Sequence, residues 1–273
     1  MNLQTKIDDS IALIRKAERL ALLLQPDTGF YVAFSGGKDS QTVLELVKMA
    51  GVKYRAFYNV TTNDPADNIR FIKYHYPEVI FDSPNKSYFQ LIAKKGLPTR
   101  IRRWCCAIFK EPKGAGHAVL TGVRKQESQK RAKYNNVKKY GERTTNYDID
   151  EMEKNEFRCV NGKDKFLINP ILEWTESEVW EFLRFRGLPV NPCYTYSHRV
   201  GCIFCPFASK KTILLYAKKH PKQTLAFIHA IESYMKNSNM KYPLSAEELF
   251  DWWISKKSIK AYLATKSQLT LPL

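Results

Sequence analysis

A short apolar run, Phe30-Tyr-Val-Ala-Phe34, halts at Gly36-Gly37, and a helical pattern with Val43, Leu44 and Val47 on one face follows at once and lasts to Ala50. Strand, glycine turn and helix in immediate succession constrain this chain more than any other feature. Such a unit leaves the first N–H groups of the helix without partners and aims the positive helix end past the strand. The hexapeptide Ser35-Gly-Gly-Lys-Asp-Ser40 fills the turn. Its glycines let a ligand approach the backbone and Lys38 adds a point charge, so it reads as a phosphate-binding loop. It is not a Walker A loop, because Val32 stands where that pattern needs its first glycine and Asp39 where it needs Ser or Thr.

The alternation continues with a strand at 54–60, a helix near 65–76, and strands at 79–81 and 118–121. This predicts an α/β fold, a Rossmann-like parallel sheet with helices on both faces. Residues 4–25 form a leading amphipathic helix with Ile7, Ile11, Ile14, Leu20 and Leu24 in register. Thr175-Glu-Ser-Glu178 has the spacing of a capping box and starts another helix. The pattern beyond Ser209 is helical, including a helix over 246–254. The expected organisation is an N-terminal helix (1–27), a nucleotide-binding and cysteine-bearing domain (28–208) and a C-terminal helical extension (209–273). The segment 124–143, rich in Lys and Arg and nearly free of apolar residues, reads as a mobile basic flap.

With 44% hydrophobic and 13% aromatic residues, a chain of 273 residues can bury a sizeable core. Its 44 Lys and Arg against 27 Asp and Glu leave a net charge of +17. A surface that basic attracts phosphate-bearing partners, nucleic acid foremost, by releasing their counterions. No apolar run approaches the ~20 residues that span a bilayer, and the first ten residues carry two Asp and no apolar core. The expectation is a cytoplasmic protein with no membrane partner. In that reducing setting the six cysteines read as metal-binding or catalytic rather than disulfide-bonded.

The loop at 35–40 resembles the PP-loop of the adenine-nucleotide alpha-hydrolase superfamily, whose members bind ATP or an adenylyl sulfate and act at the α-phosphate. Leu120-Thr-Gly-Val-Arg124 with Glu127-Ser128 resembles the second nucleotide-contacting segment of the phosphoadenosine phosphosulfate (PAPS) reductase family. Asn169-Pro-Ile171, Trp174, Val179-Trp180, Pro189, Asn191-Pro192 and Val200-Gly-Cys202 follow in that family's order. The similarity covers about residues 28–208. It implies that Ser35, Gly36, Gly37, Lys38, Asp39, Ser40, Gly122 and Arg124 bind the nucleotide. Lys38, Asp39 and Arg124 would carry catalysis, Asp39 by orienting Lys38 or a magnesium ion.

Cys105-Cys106 and Cys202-x-x-Cys205 are two local thiol pairs far apart in sequence. Four thiolates suit a soft metal, tetrahedral zinc or an iron–sulfur cluster. Adjacent cysteines diverge and close awkwardly on one zinc, which leans the reading toward a larger cubane. The adenylyl-sulfate reductases use the same arrangement, and the resemblance implies a 4Fe-4S cluster with Arg102, Arg103 and Lys110 stabilising its negative charge. Cys159 and Cys193 are left over, for packing or a transient persulfide.

The sulfonucleotide reductases attack sulfur with a cysteine in a C-terminal Glu-Cys-Gly-Leu-His tail, whereas here the last cysteine is Cys205 and the sequence ends in Gln-Leu-Thr-Leu-Pro-Leu. The expectation is therefore an ATP pyrophosphatase-type sulfurtransferase acting on DNA or tRNA, similar to the DNA-phosphorothioation sulfurtransferases, with a sulfur donor such as a cysteine desulfurase. Two alternatives remain. One is an adenylyl-sulfate or PAPS reductase that releases sulfite, and the other a non-catalytic nucleotide-binding subunit of a modification complex.

Overall fold

A computed structural model describes residues 2–141, 147, 149, 164–238 and 243–269. The chain divides into two compact units. The first comprises 1–60, 66–83 and 107–200, and the second 61–65, 84–106 and 201–273. Residues 61–65 and 84–106, read in the sequence as part of one central domain, thus group with the C-terminal helices.

The first unit is built on six strands, β1 (Phe30–Phe34), β2 (Tyr54–Asn59), β3 (Ile80–Asp82), β4 (Ala118–Leu120), β5 (Val137–Lys139) and β6 (Phe166–Ile168). Their order in the sheet is β3-β2-β1-β4-β6-β5. All neighbours pair in parallel except β5, which runs antiparallel to β6. Central β1 is apolar along nearly its whole length because both faces are covered. Helices α1 (Leu3–Leu24), α2 (Lys38–Ala50), α3 (Ala66–His75) and α6 (Glu176–Phe185) accompany the sheet. α1 buries Ile7, Ile14, Ala17 and Leu20, while Lys6 pairs with Glu178 at 2.6 Å. The capping box at Thr175 is formed and opens α6 as its spacing predicts.

The chain runs outward from β1 through β2 to β3, then returns to lay β4 against the other side of β1. The order therefore reverses between β1 and β4. In open α/β sheets a crevice forms outside the carboxyl ends of two such strands, and ligands bind there. β1 leads directly into Ser35–Ser40, and β4 into Thr121–Arg124.

The basic segment after Arg124 is not the mobile flap that its composition suggests. Val137 and Lys138 are buried in strand β5, and the Lys138 ammonium stands 3.9 Å from the centre of the Tyr134 ring. Two consecutive lysines suit a sheet edge, where charge blocks further strand pairing. Residues 142 and 143 of that segment, and Cys159, lie outside the described residues.

The second unit contains α4 (Tyr88–Lys95), the start of α5 (Trp104–Phe109), α7 (Lys210–Lys219), α8 (Pro221–Asn237), α9 (Ala246–Ser255) and α10 (Ile259–Leu269). Its core is aromatic. Phe227 lies 4.6 Å from Phe204, 5.4 Å from Phe250 and 5.2 Å from Trp253 between ring centres, and Tyr88 packs on Trp104 at 5.7 Å. Among the described residues no helix is long and apolar enough to cross a membrane.

Candidate active site

Gly36 sits in the left-handed region at φ +76°, which lets the chain turn sharply out of β1. A Cβ there would lie 2.3 Å from Asn68 Oδ1. Ser40 closes the loop on itself: its Oγ accepts the Ser35 N–H at 3.1 Å and donates to the Gly37 carbonyl at 2.8 Å. The remaining carbonyls are held from outside. Asn68 Nδ2 donates to Ser35 O at 3.1 Å, and Asn191 Nδ2 to Gly36 O at 2.8 Å and to Asn68 Oδ1 at 2.7 Å. Gly37 is the N-cap of α2 and offers no capping side chain, and hydroxyls rather than carbonyls meet the N–H groups of Ser35, Gly37 and Lys38.

Asn191 is fully buried and its Oδ1 also accepts the Cys193 N–H at 2.9 Å. Asn191→Ala leaves these buried polar groups without their partner, at an expected cost of about 3 kcal/mol. The urea midpoint should fall with an unchanged slope, and an unshifted midpoint would show that the loop does not depend on this amide.

The charged groups converge on the same helix start. The Lys38 ammonium is buried and pairs with Asp39 Oδ2 at 2.9 Å and Glu176 Oε1 at 3.5 Å. Arg124, also buried, donates from Nε to Asp39 Oδ1 at 2.6 Å. One carboxylate thus holds both cations, with each oxygen already engaged by one of them. Gln126 Oε1 joins the arrangement by accepting from Arg124 Nη1 at 3.1 Å and from the Glu176 N–H at 2.8 Å. Gly122 permits this approach of the segment after β4, since a Cβ there would stand 2.9 Å from the Asp39 carbonyl carbon. Asn169 anchors the segment from beyond β6 by accepting the Thr121 hydroxyl at 2.5 Å.

Tyr194 is the other direct contact. Its hydroxyl accepts the Lys38 N–H at 2.8 Å, the donor position where a phosphate oxygen would be expected. Burial pushes its phenol pKa up, so it stays a neutral hydroxyl, and Trp180 packs edge-on against its ring at 4.9 Å. Of the sequence-predicted residues, Ser35 to Ser40, Gly122 and Arg124 are all brought to this one place. Asn68, Gln126, Glu176 and Tyr194 were not singled out in the sequence, although Glu176 stands inside the recognised capping box. Cys193 is buried with its Sγ 3.2 Å from the Tyr196 hydroxyl, which also reaches Asp67 at 3.1 Å.

The four paired cysteines belong to the second unit. Cys105 and Cys106 begin α5, and Cys202 and Cys205 flank Ile203-Phe204. The fully buried Tyr88 hydroxyl, which donates to Phe204 O at 2.9 Å, feels all four thiols: burial and then charge on Cys105, Cys202, Cys205 and Cys106 push its pKa up. The Cys105 thiol is itself pushed up by its hydrogen bond to Cys106, by burial, and by charge on Cys106 and Cys202. Thr61 Oγ1 lies 3.5 Å from Cys202 Sγ. Four soft donors from two short segments of one unit match the chemistry of a soft, cationic metal centre. Among the described residues no three His, Cys, Asp or Glu side chains are disposed to hold a metal ion. Cationic groups brace the loop around Cys205: Arg100 Nε and Lys256 Nζ donate to Pro206 O at 3.4 and 3.2 Å, and the Arg103 guanidinium lies 5.4 Å from the centre of the Phe207 ring.

Comparison with known proteins places this geometry in a family. The chain is 26% identical over 235 residues to an uncharacterized protein of Methanocaldococcus jannaschii, covering 81% of this chain and 45% of that one. It is 25% identical over 194 residues to adenosine 5'-phosphosulfate reductase of Allochromatium vinosum, covering 63% and 66%. The chain spans about half the length of the first of these curated relatives. Among solved structures it is similar to phosphoadenylyl-sulfate reductase from Candida auris in a phosphate complex, with TM-score 0.45, 16% identity and coverage of 69% and 87%. It is also similar to the U34-tRNA thiolase NcsA from Methanococcus maripaludis with its 4Fe-4S cluster, with TM-score 0.44, 11% identity and coverage of 88% and 81%. The phosphoadenosine phosphosulfate reductase domain matches residues 29–208, the greater part of the molecule, and the chain belongs to that family.

Proposed function

We propose that this chain is a PP-loop enzyme that uses ATP to adenylylate an oxygen of a nucleic acid, DNA or tRNA, so that sulfur can replace it. The observation that carries the reading is the meeting of the loop amides, Lys38 and Arg124 at the switch point between β1 and β4. An acceptor oxygen attacks the α-phosphorus, the bond from that phosphorus to the pyrophosphate oxygen breaks, and pyrophosphate leaves. Sulfur at the sulfide level then adds to the activated carbon or phosphorus, and AMP leaves with the acceptor's oxygen. The loop amides and Lys38 hold the pyrophosphate and offset the charge that grows on it, while Arg124 steadies the α-phosphate. Asp39 keeps the two cations in place. Magnesium would enter with the nucleotide.

Cys105, Cys106, Cys202 and Cys205 would hold a 4Fe-4S cluster. When bound, it would supply iron at which sulfide can be retained before transfer, and a cysteine desulfurase is a suitable sulfur source. The charge distribution supports a nucleic-acid acceptor. The second unit has seventeen Lys and Arg against five Asp and Glu, so +12 of the net +17 lies with the cysteines. The reduction of a small sulfonucleotide does not call for so extended a positive surface.

A second reading, a sulfonucleotide reductase, is favoured by the similarity to adenosine 5'-phosphosulfate reductase. Anaerobic incubation with ATP and magnesium, or with adenylyl sulfate and a thiol reductant, each with and without tRNA and DNA, separates the two. Pyrophosphate and AMP stimulated by nucleic acid are expected; sulfite from the sulfonucleotide alone would transfer the assignment to the reductase.

Glu176 competes with the nucleotide for Lys38 from an exposed position. Glu176→Gln is expected to tighten nucleotide binding about threefold, the scale of one exposed ion pair. Calorimetric titration reads this directly, and weaker binding would show that Glu176 serves the ligand instead.

A further inference from the structure

Within the second unit, Thr99, Arg100, Ile101, Pro206, Trp252, Trp253, Lys256 and Lys257 line a half-open cavity of about 340 Å³. Its chemistry divides cleanly. The half-buried Trp252 and the buried Trp253 give it an aromatic side, and Arg100, Lys256 and Lys257 bring three cations. No carboxylate is among the described residues that line it. Trp253 is fixed by a hydrogen bond from its Nε1 to Pro98 O at 2.6 Å, and Trp252 by one to Lys257 O at 3.0 Å.

Lys256 occupies the C-cap of α9 at φ +60°, a conformation that favours glycine. A lysine there sets its ammonium 4.5 Å from the centre of the Trp253 ring and within reach of Pro206 O, next to Cys205. Burial, and then the charge of Arg100, push the Lys256 pKa down. Arg100 and Lys256 are both exposed at the rim of this cavity, and two cations near each other there form a site that an anion would relieve. Ile101, almost fully exposed, extends the apolar rim.

We propose that this cavity seats one unpaired nucleotide of a nucleic-acid strand, its base against the half-buried Trp252 indole and its phosphate on Arg100, Lys256 and Lys257. The inference names the acceptor's docking site and rests on the nucleic-acid reading above. Base stacking on an aromatic face tolerates any base, whereas phosphate contacts give affinity that declines with salt. A duplex hides its base faces, an acidic peptide has none, and a free mononucleotide lacks the neighbouring phosphates that a run of surface cations would engage.

Binding of fluorescein-labelled dodecamers by the whole protein, read as anisotropy without ATP, tests this. Oligo(dT) and oligo(U) are expected to bind, with affinity falling as salt rises. Trp252→Ala and Arg100→Gln should each weaken binding roughly tenfold, while Trp252→Phe keeps most of it. Arg100→Gln leaves the helices intact and guards against a folding defect in the tryptophan variant, which circular dichroism would reveal. Equal binding of duplex, polyglutamate or AMP, or unchanged affinity in both the alanine and glutamine variants, would overturn the assignment. Tryptophan-dependent strand binding in a protein that never converts ATP to AMP would support the cavity while refuting the reaction, so the two failures are distinguishable.

Discussion

Lys38→Ala is expected to abolish AMP-forming turnover, lowering kcat by about 10²- to 10³-fold, the usual effect of removing one preorganised group from a developing negative charge. The ammonium is buried at the start of α2 and held by Asp39 at 2.9 Å. Its loss leaves Asp39 still bonded to Arg124, so the fold should survive and the defect should be chemical. Asp39→Ala makes the contrast. It strands the buried Arg124 guanidinium without its carboxylate and should cost about 3 kcal/mol of stability as well as activity. A Lys38→Ala enzyme that turns over at the wild-type rate would remove this loop from the mechanism.

Replacing Cys202 and Cys205 together by serine is expected to eliminate the brown colour of anaerobically prepared protein and to reduce its iron from about four atoms per chain to less than one. Because metal binding and folding draw on the same free energy, the second unit should also melt at lower temperature. Cys202 and Cys205 frame Phe204, which anchors the aromatic core and accepts the Tyr88 hydroxyl through its carbonyl. A double variant that keeps its iron would show that other groups hold it. A wild-type protein that binds zinc and no iron under the same conditions would replace the cluster by the zinc alternative.

Much of the sheet was legible because its signals are local. Val32 and its neighbours form a buried apolar run that ends at glycine, and Ala118–Leu120 and the capping box at Thr175 stand where the pattern puts them. Strand β5 was not legible. Three residues at a sheet edge need no alternation, and Lys138-Lys139 resemble a solvated run until Tyr134 is seen beneath them. The phosphate loop could be read from its glycines, but its supports could not. Asn68, Asn191 and Tyr194 arrive from distant segments, and only the strand order of the sheet brings Arg124 beside Asp39. Likewise the sequence shows two cysteine pairs without showing that Tyr88 stands among them, or that most of the net charge shares their unit.

Isotopic oxygen distinguishes attack at the α-phosphorus by an oxygen of the acceptor from attack by water. ATP turnover with nucleic acid and sulfide in 18O-water, followed by mass analysis of the nucleotide, should give AMP and pyrophosphate with no label in AMP. The oxygen that joins its phosphate would come from the acceptor. Formation of ADP and phosphate would place the attack away from the α-phosphorus, and AMP that carries the solvent label whether or not nucleic acid is present would make water the nucleophile; either would refute adenylylation of the acceptor.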